Sequence, residues 1–258
     1  LINHCNVVIR GAQATNDRLT LRQLYYRLVA QNLIENTVRS YKNVGGLVSD
    51  ARLAGLIDWD AIEDRGRTPH MHAQWYDLSG LVNSAVDSYR LPRWEGQENY
   101  VEVWVEKDAL QGVLRRVTDE FHVHLQVNKG YSSQSAMYEA ANRYRGASDK
   151  ELHLLYFGDF DPSGEDMVRD VSDRLELFGV DQLNVVKVAL TMPQVRNLKL
   201  PPNPAKRTDS RSRAFIAKHG GSSWELDAMP VADLRTLARN EVSLLANMKL
   251  MKAVIARE

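Results

Sequence analysis

The chain has a single cysteine, Cys5, among 258 residues. A lone thiol excludes an internal disulfide framework and suits a reducing cytoplasm. Cys/His pairs at zinc-site spacing are lacking, and the seven histidines are scattered. No apolar run reaches the about eighteen residues that cross a bilayer, so no membrane partner is expected. Net charge is lacking too, because 33 basic residues balance 33 acidic ones. A zero sum argues against a wholly basic nucleic-acid coat, yet it leaves room for a basic groove offset by acid elsewhere. The opening LINHC has neither an initiator Met nor a basic-plus-apolar leader, so the true N-terminus is expected upstream.

What is present is 44% hydrophobic and 26% charged, the balance of a globular chain rather than a disordered one. The length suffices for one large domain or two ordinary ones. Charge is unevenly spread. Between 199 and 218, Lys199, Lys206, Arg207, Arg211, Arg213 and Lys218 face a single Asp209, while Asp58, Asp60, Glu63 and Asp64 cluster in one short stretch.

The periodicity changes along the chain. Residues 1–90 predict helices: in RLTLRQLYYRLVAQ, Thr20 and Gln23 have capping-box spacing. SYKNVGGLVSDARLAGL predicts another helix, weakened by Gly45 and Gly46. IDWDAIEDRGRTP, with Gly66 and Pro69, reads as short strands or a wing. Helices followed by a short polar β-element predict a winged helix-turn-helix domain. LPRWEGQEN, residues 91–99, reads as a linker. From residue 100, YVEVWV, HVHLQV, LHLLYF and LNVVKVAL predict strands separated by helices, hence βαβ units and a mainly parallel sheet. A Pro-rich irregular region follows, with helix from Val231. The expected fold class is α/β, or α+β overall: a winged helix-turn-helix domain at 1–90, then an α/β domain at 100–258 with a C-terminal helical extension.

Three carboxylates fall at expected strand ends, where parallel sheets bind ligands. Glu106 follows the first strand; Asp159 and Asp161, in YFGDFDPSGED, follow the third. Residues two apart in extended chain point the same way, so these two aspartates can reach one ion. Oxygen-only ligation suits Mg²⁺ or Mn²⁺. Asp-x-Asp-Pro ahead of a helix is also ordinary turn and N-cap chemistry, and the residues alone leave both readings open.

VEVWVEKDAL and YFGDFDPSGED together resemble the Toprim domain, a metal-binding α/β module of topoisomerases, primases and some nucleases, over roughly residues 100 to 190. The resemblance implies that Glu106, Asp159 and Asp161 bind metal, with Glu106 aiding proton transfer. GYSS at 130–133 resembles the turn between the two motifs.

In the helix after Thr20, Leu21, Leu24, Tyr25 and Leu28 form one apolar stripe, which makes Tyr25 core. Tyr26 lies roughly 150° from that stripe, on the face shared with Arg22. A solvent-facing Tyr beside an Arg suits attack on a phosphate, and packing against a neighbouring helix is the competing reading. LTLRQLYYRL resembles the Arg-x-x-x-Tyr segment of the topoisomerase VI A subunit and the meiotic double-strand-break protein. That family joins a winged helix bearing a nucleophilic Tyr to a C-terminal Toprim domain, and SSWELDAMPVADLRTL is similar to its C-terminal segment. The chain is short for an A subunit and closer to the compact Mini-A type.

The resemblance implies Tyr26 as nucleophile and Arg22 as its support. It further implies a 5′ phosphotyrosyl link and a homodimer in which the Tyr of one protomer works with the metal of the other. No ATPase module is recognisable, so strand passage would need a separate ATPase subunit. Arg39, Lys42 and Arg52 near the second helix, with Arg65 and Arg67 on the expected wing, are the candidate contacts to double-stranded DNA. Three functions stay open: tyrosine-dependent DNA cleavage, hydrolysis by a Toprim nuclease, and a non-catalytic DNA-binding regulatory module. The expected location is cytoplasmic, nucleoid-associated if the source is prokaryotic.

Overall fold

A computed structural model describes residues 1–15, 18–62, 72–128, 130, 132–204 and 212–258. Three helices open the chain: α1 (Ile2–Gln13), α2 (Leu21–Ala30) and α3 (Val38–Leu53). Thr20 starts α2 with both capping-box bonds, Gln23 N donating to Thr20 Oγ1 at 3.3 Å and Thr20 N to Gln23 Oε1 at 2.8 Å. Cys5, Val8 and Ile9 of α1, Leu24, Tyr25 and Leu28 of α2, and Val44 and Val48 of α3 are buried.

The stretch expected to form a wing begins as a 3-10 turn at Trp59–Ala61, and Ile62 makes an isolated parallel bridge to Leu19. Residues 63–71, with Arg65 and Arg67, lie outside the described residues. Helix α4 (Leu78–Ser88) buries none of its side chains. The 91–98 stretch is anchored rather than loose. Trp94 Nε1 donates to Phe121 O at 2.6 Å, Asn247 N to Gln97 Oε1 at 2.6 Å, and Arg93 pairs with Glu258 at 3.1 Å.

The alternation expected from residue 100 onward is present. The elements are β1 (Asn99–Val105), α5 (Gln111–Phe121), β2 (His124–Val127), α6 (Gln134–Arg145), β3 (Glu151–Phe157), α7 (Pro162–Leu177) and β4 (Leu183–Ala189). These strands form one sheet in the order β2-β1-β3-β4, parallel throughout. Val103 stands between Leu125 and Leu155 in register. The chain is thus an α/β protein with a parallel sheet.

After the sheet come α8 (Met192–Asn197), β5 (Asn203–Pro204), α9 (Ser212–His219), β6 (Ser222–Ser223), α10 (Val231–Leu245) and α11 (Met248–Ile255). Strands β5 and β6 pair antiparallel, and Trp224 exchanges two backbone bonds with Phe160, at 2.8 and 2.9 Å. That exchange ties the 222–228 turn to the end of β3.

The sheet faces are unlike because alternate residues of a strand point to opposite sides. Val101, Val103 and Val105 join a cluster that runs without a break from Cys5 of α1 through Leu24 and Tyr26 of α2 to Leu226, Val242 and Met251. Trp104, Leu154 and Tyr156 pack on the other side with Met137 and Tyr144 of α6 and Met167 and Leu175 of α7. Glu102, fully buried, is satisfied by Arg143 at 2.7 and 2.8 Å, Tyr100 at 2.8 Å and Trp104 at 2.8 Å. Among the described residues, no helix is long and apolar enough to cross a membrane.

Candidate functional site

The site lies at the carboxyl ends of β1 and β3. Glu106 N donates to Phe157 O at 2.9 Å, which extends the β1–β3 pairing one residue past the strand. Glu106 Oε2 in turn accepts from Asp159 N at 3.0 Å. Asp159 Oδ1 accepts from Leu226 N at 2.7 Å and pairs with Lys107 Nζ at 2.8 Å. Asp161 caps α7, its Oδ1 accepting from Gly164 N at 2.6 Å and Ser163 Oγ at 2.9 Å. The turn chemistry of YFGDFDPSGED is therefore realised at Asp161, while Asp159 faces inward at 7% exposure.

Lys107 is the hub. Its ammonium reaches Asp159, then Glu225 and Asp227, both at 2.9 Å. Arg22 of α2 pairs with Glu225 and approaches Asp227 at 3.5 Å. The Asp227 oxygens, fully buried, make no aligned hydrogen bond, so they are held by charge. Lys187 donates to Asp159 O at 2.8 Å and pairs with Glu165 at 2.5 Å. Three cations (Arg22, Lys107, Lys187) thus oppose six carboxylates (Glu106, Asp159, Asp161, Glu165, Glu225, Asp227).

The titration behaviour follows from this surplus of negative charge inside a desolvated site. Burial raises Asp159 to about 7, with the Glu106 charge adding and Lys107 and the Leu226 N–H opposing. Glu106 is raised by burial, and the Asp161 charge adds to the shift. Burial alone would raise Glu225 as well, but Lys107 and Arg22 pull it down to about 2. Lys107 and Arg22 are pushed up by their carboxylates against the opposing effect of burial.

Tyr26 does not face solvent, as an isolated α2 would have it; only 4% of it is exposed. The far face of α2 is covered by the 225–228 turn and by Asn203, whose Nδ2 donates to Tyr26 Oη at 3.0 Å. Asn203 also leans on Glu225 Oε1 at 3.4 Å and accepts from Asn36 Nδ2 at 2.6 Å. Tyr25 donates to Asn36 Oδ1 at 3.0 Å and packs edge-on to Tyr26 at 5.2 Å. Burial and the Glu225 charge raise Tyr26 to about 12, opposed by Asn203, Arg22 and Lys107. Arg22, Tyr26, Asp159, Asp161, Asn203 and Glu225 line one cavity of about 500 Å³.

Asp159 N donates to Glu106 Oε2 at 3.0 Å and Asp161 lines the same cavity as Asp159, so the three expected metal residues gather at one end of the sheet. Among the described residues, no group of three or more His, Cys, Asp or Glu side chains is arranged to hold a metal ion. Hard oxygens and surplus negative charge suit a hard divalent cation, whereas Asp159 is engaged by Lys107 and Leu226. Of the expected DNA contacts, Arg39 and Lys42 are exposed on α3, whose Val38 and Tyr41, with the N-cap Thr37, also line the cavity. Arg52 is half-buried and engaged by its own chain, donating to Trp59 O at 2.6 Å and stacking over the Trp59 ring at 4.4 Å.

Sequence reading missed Lys107, Asn203, Glu225 and Asp227. Lys107 sits beside Glu106 and was legible from its position alone. Glu225 and Asp227 repeat the two-apart spacing of Asp159 and Asp161, but the strand before them is two residues long and carries no periodicity. No known protein family and no curated protein matches the chain.

Proposed function

We propose that the protein cleaves DNA by tyrosine transesterification, in the manner of the topoisomerase VI A subunit. In this reading α1–α3 act as a winged-helix unit and the parallel sheet as a Toprim domain. The observation that carries it is the single cavity where Tyr26, Arg22, Asp159 and Asp161 meet beside Lys107. Tyr26 Oη attacks the phosphorus, the new O–P bond replaces the P–O3′ bond, and a 5′ phosphotyrosyl link and a 3′ hydroxyl result. The phenolic proton is lost to solvent before attack, and water supplies the proton that the leaving O3′ takes up, so bonds and protons balance. Glu106, Asp159 and Asp161 would hold a divalent cation, which would offset charge on the scissile phosphate and position it. Arg22 and Lys107 offset phosphate charge as it accumulates.

Arg39 and Lys42 contact the phosphate backbone without reading sequence. Mg²⁺ or Mn²⁺ is the expected cofactor, and a homodimer would give one cut per strand. ATP-driven strand passage would require a separate subunit.

The test is a covalent-adduct assay on labelled duplex DNA, wild type against Tyr26→Phe, with Mg²⁺ and after chelation with EDTA. A denaturant-stable adduct present in wild type and lost in Tyr26→Phe and after chelation is expected. Cleavage that survives Tyr26→Phe and disappears in Asp159→Ala would overturn the tyrosine reading in favour of hydrolysis.

A further inference from the structure

We propose that the apolar face of α4 is a self-association surface, on which a second copy of this chain lays its own α4 antiparallel. The surface is independent of the tyrosine reading, because it is set by residues 76–90 alone.

Helix α4 is amphipathic, yet water reaches both of its faces. Leu78, Leu81, Val82, Ala85 and Val86 recur at spacings of three and four and form one stripe. Ser79, Asn83, Ser84 and Asp87 form the opposite face. None of the helix is buried, and the four large side chains of the stripe are 41% to 73% exposed. Tyr76 and Tyr89, at its two ends, are exposed as well. An apolar stripe left wet to this degree marks a site of interaction. The sequence from Glu63 to Met71 holds a single large apolar residue, so it lacks the side chains to match the stripe.

The charges that frame the stripe select its occupant. Asp77 stands at the N-terminal end as the cap and Arg90 just past the C-terminal end, while Asp87 lies on the polar face. Two copies laid antiparallel, with Leu81 opposite Val86 and Val82 opposite Ala85, set Leu78 against Tyr89 and Asp77 against Arg90. By the two-fold symmetry each of these pairs forms twice, and the helix dipoles run in the favourable, opposed sense. A parallel pairing would instead set Asp77 against Asp77 and Arg90 against Arg90. Asp77 caps α4 through Oδ1, which accepts from Gly80 N at 2.7 Å, and Arg90 holds its own backbone through Nη1. A carboxylate oxygen and a guanidinium edge are left for the partner.

The area fits a dimer that can come apart. The exposed apolar side chains, at about 100 Å² each, offer on the order of 600 Å² per copy. That lies near the low end of stable interfaces, which bury about 800 Å² per partner.

Sedimentation of the full chain between about 1 and 100 µM tests the surface. A dimer that dissociates toward the low end is expected. Val82→Asp would bury two charges in the pairing and should give a monomer throughout, with an unchanged thermal midpoint because α4 buries nothing in its own chain. Arg90→Glu should weaken association by about tenfold, since it sets like charges together at both ends. For the register, chains carrying Val82→Cys and Ala85→Cys with different tags are mixed and oxidised, and Cys5 is buried away from the reaction. Disulfide between the two kinds of chain is expected to exceed either like pair. Wild type that stays monomeric over the whole range would overturn the proposal and leave the stripe to a different protein. So would a dimer of unchanged affinity in Val82→Asp, or an excess of like-pair disulfides, the mark of a parallel pairing.

Discussion

Tyr26 must lose its proton in surroundings that oppose the loss. Burial and the neighbouring Glu225 hold the phenol at about 12, and the Asn203 amide is the hydrogen bond that pulls the other way. The reactive fraction therefore grows with pH across the working range. Single-turnover adduct formation should rise roughly tenfold per pH unit from about pH 7 to 9. A plateau inside that window would show that bound DNA supplies a stronger pull than these residues do. Asn203→Ala removes the amide donor and should slow adduct formation at pH 8 by about tenfold, the worth of one hydrogen bond to a developing charge. An unchanged rate would leave Asn203 with a packing role only.

At the scale of elements, the strand-to-helix turn from β3 into α7 fixes the carboxylates. Its tightness comes from Gly164, where an added Cβ would fall 2.2 Å from Asp159 O. Gly158 is similarly close, with Tyr156 Cε1 at 2.6 Å and Glu106 Oε2 at 3.0 Å. Gly164→Ala should thus push Asp159 off its contacts with Lys107 and Leu226. A destabilisation of about 1–3 kcal/mol is expected, read from the denaturant midpoint, and adduct yield should fall further than stability alone explains. A variant with wild-type midpoint and yield would mean that the turn relaxes freely.

These elements differ in how far they could be read in advance. Strands β1 and β3 announce themselves through Val, Trp, Leu and Tyr at alternate positions, and their carboxyl ends give Glu106 and Asp159. Helix α2 is equally plain, with Thr20 and Gln23 as its cap. The helix alone leaves open whether its outer face is wet or packed, because the groups that cover Tyr26 lie 177 residues away at Asn203, on a two-residue strand without a local pattern. Tertiary contacts of that separation leave no periodic trace in either segment. Arg52 is a different case: its partner Trp59 lies only 7 residues on, but beyond the end of α3, where helical periodicity no longer says which way the chain runs.

For the molecule as a whole, the ion network links stability to pH in two opposing ways. Glu225 ionises at about 2 instead of 4.5, so its contribution is complete above 4.5 and is lost as pH falls toward 2. Asp159 titrates at about 7 instead of 3.8, so its contribution is complete below 3.8 and is lost as pH rises through 7. Glu225→Gln should cost on the order of 3 kcal/mol at neutral pH and flatten the loss of stability between pH 4.5 and 2. Thermal melts across that interval check it; an acid limb as steep as that of wild type would place the relevant titration elsewhere.

The unbroken apolar cluster from Cys5 to Met251 has a consequence for modularity. The opening helices and the sheet share one interior, so neither is a cassette that recombination can move intact. A chimera that grafts foreign opening helices onto this sheet inherits the carboxylates but loses the matched seam against Leu226 and Met229. Divergence in one half is then constrained to be answered by compensating change in the other, and the two halves are expected to travel through descent as a single heritable unit.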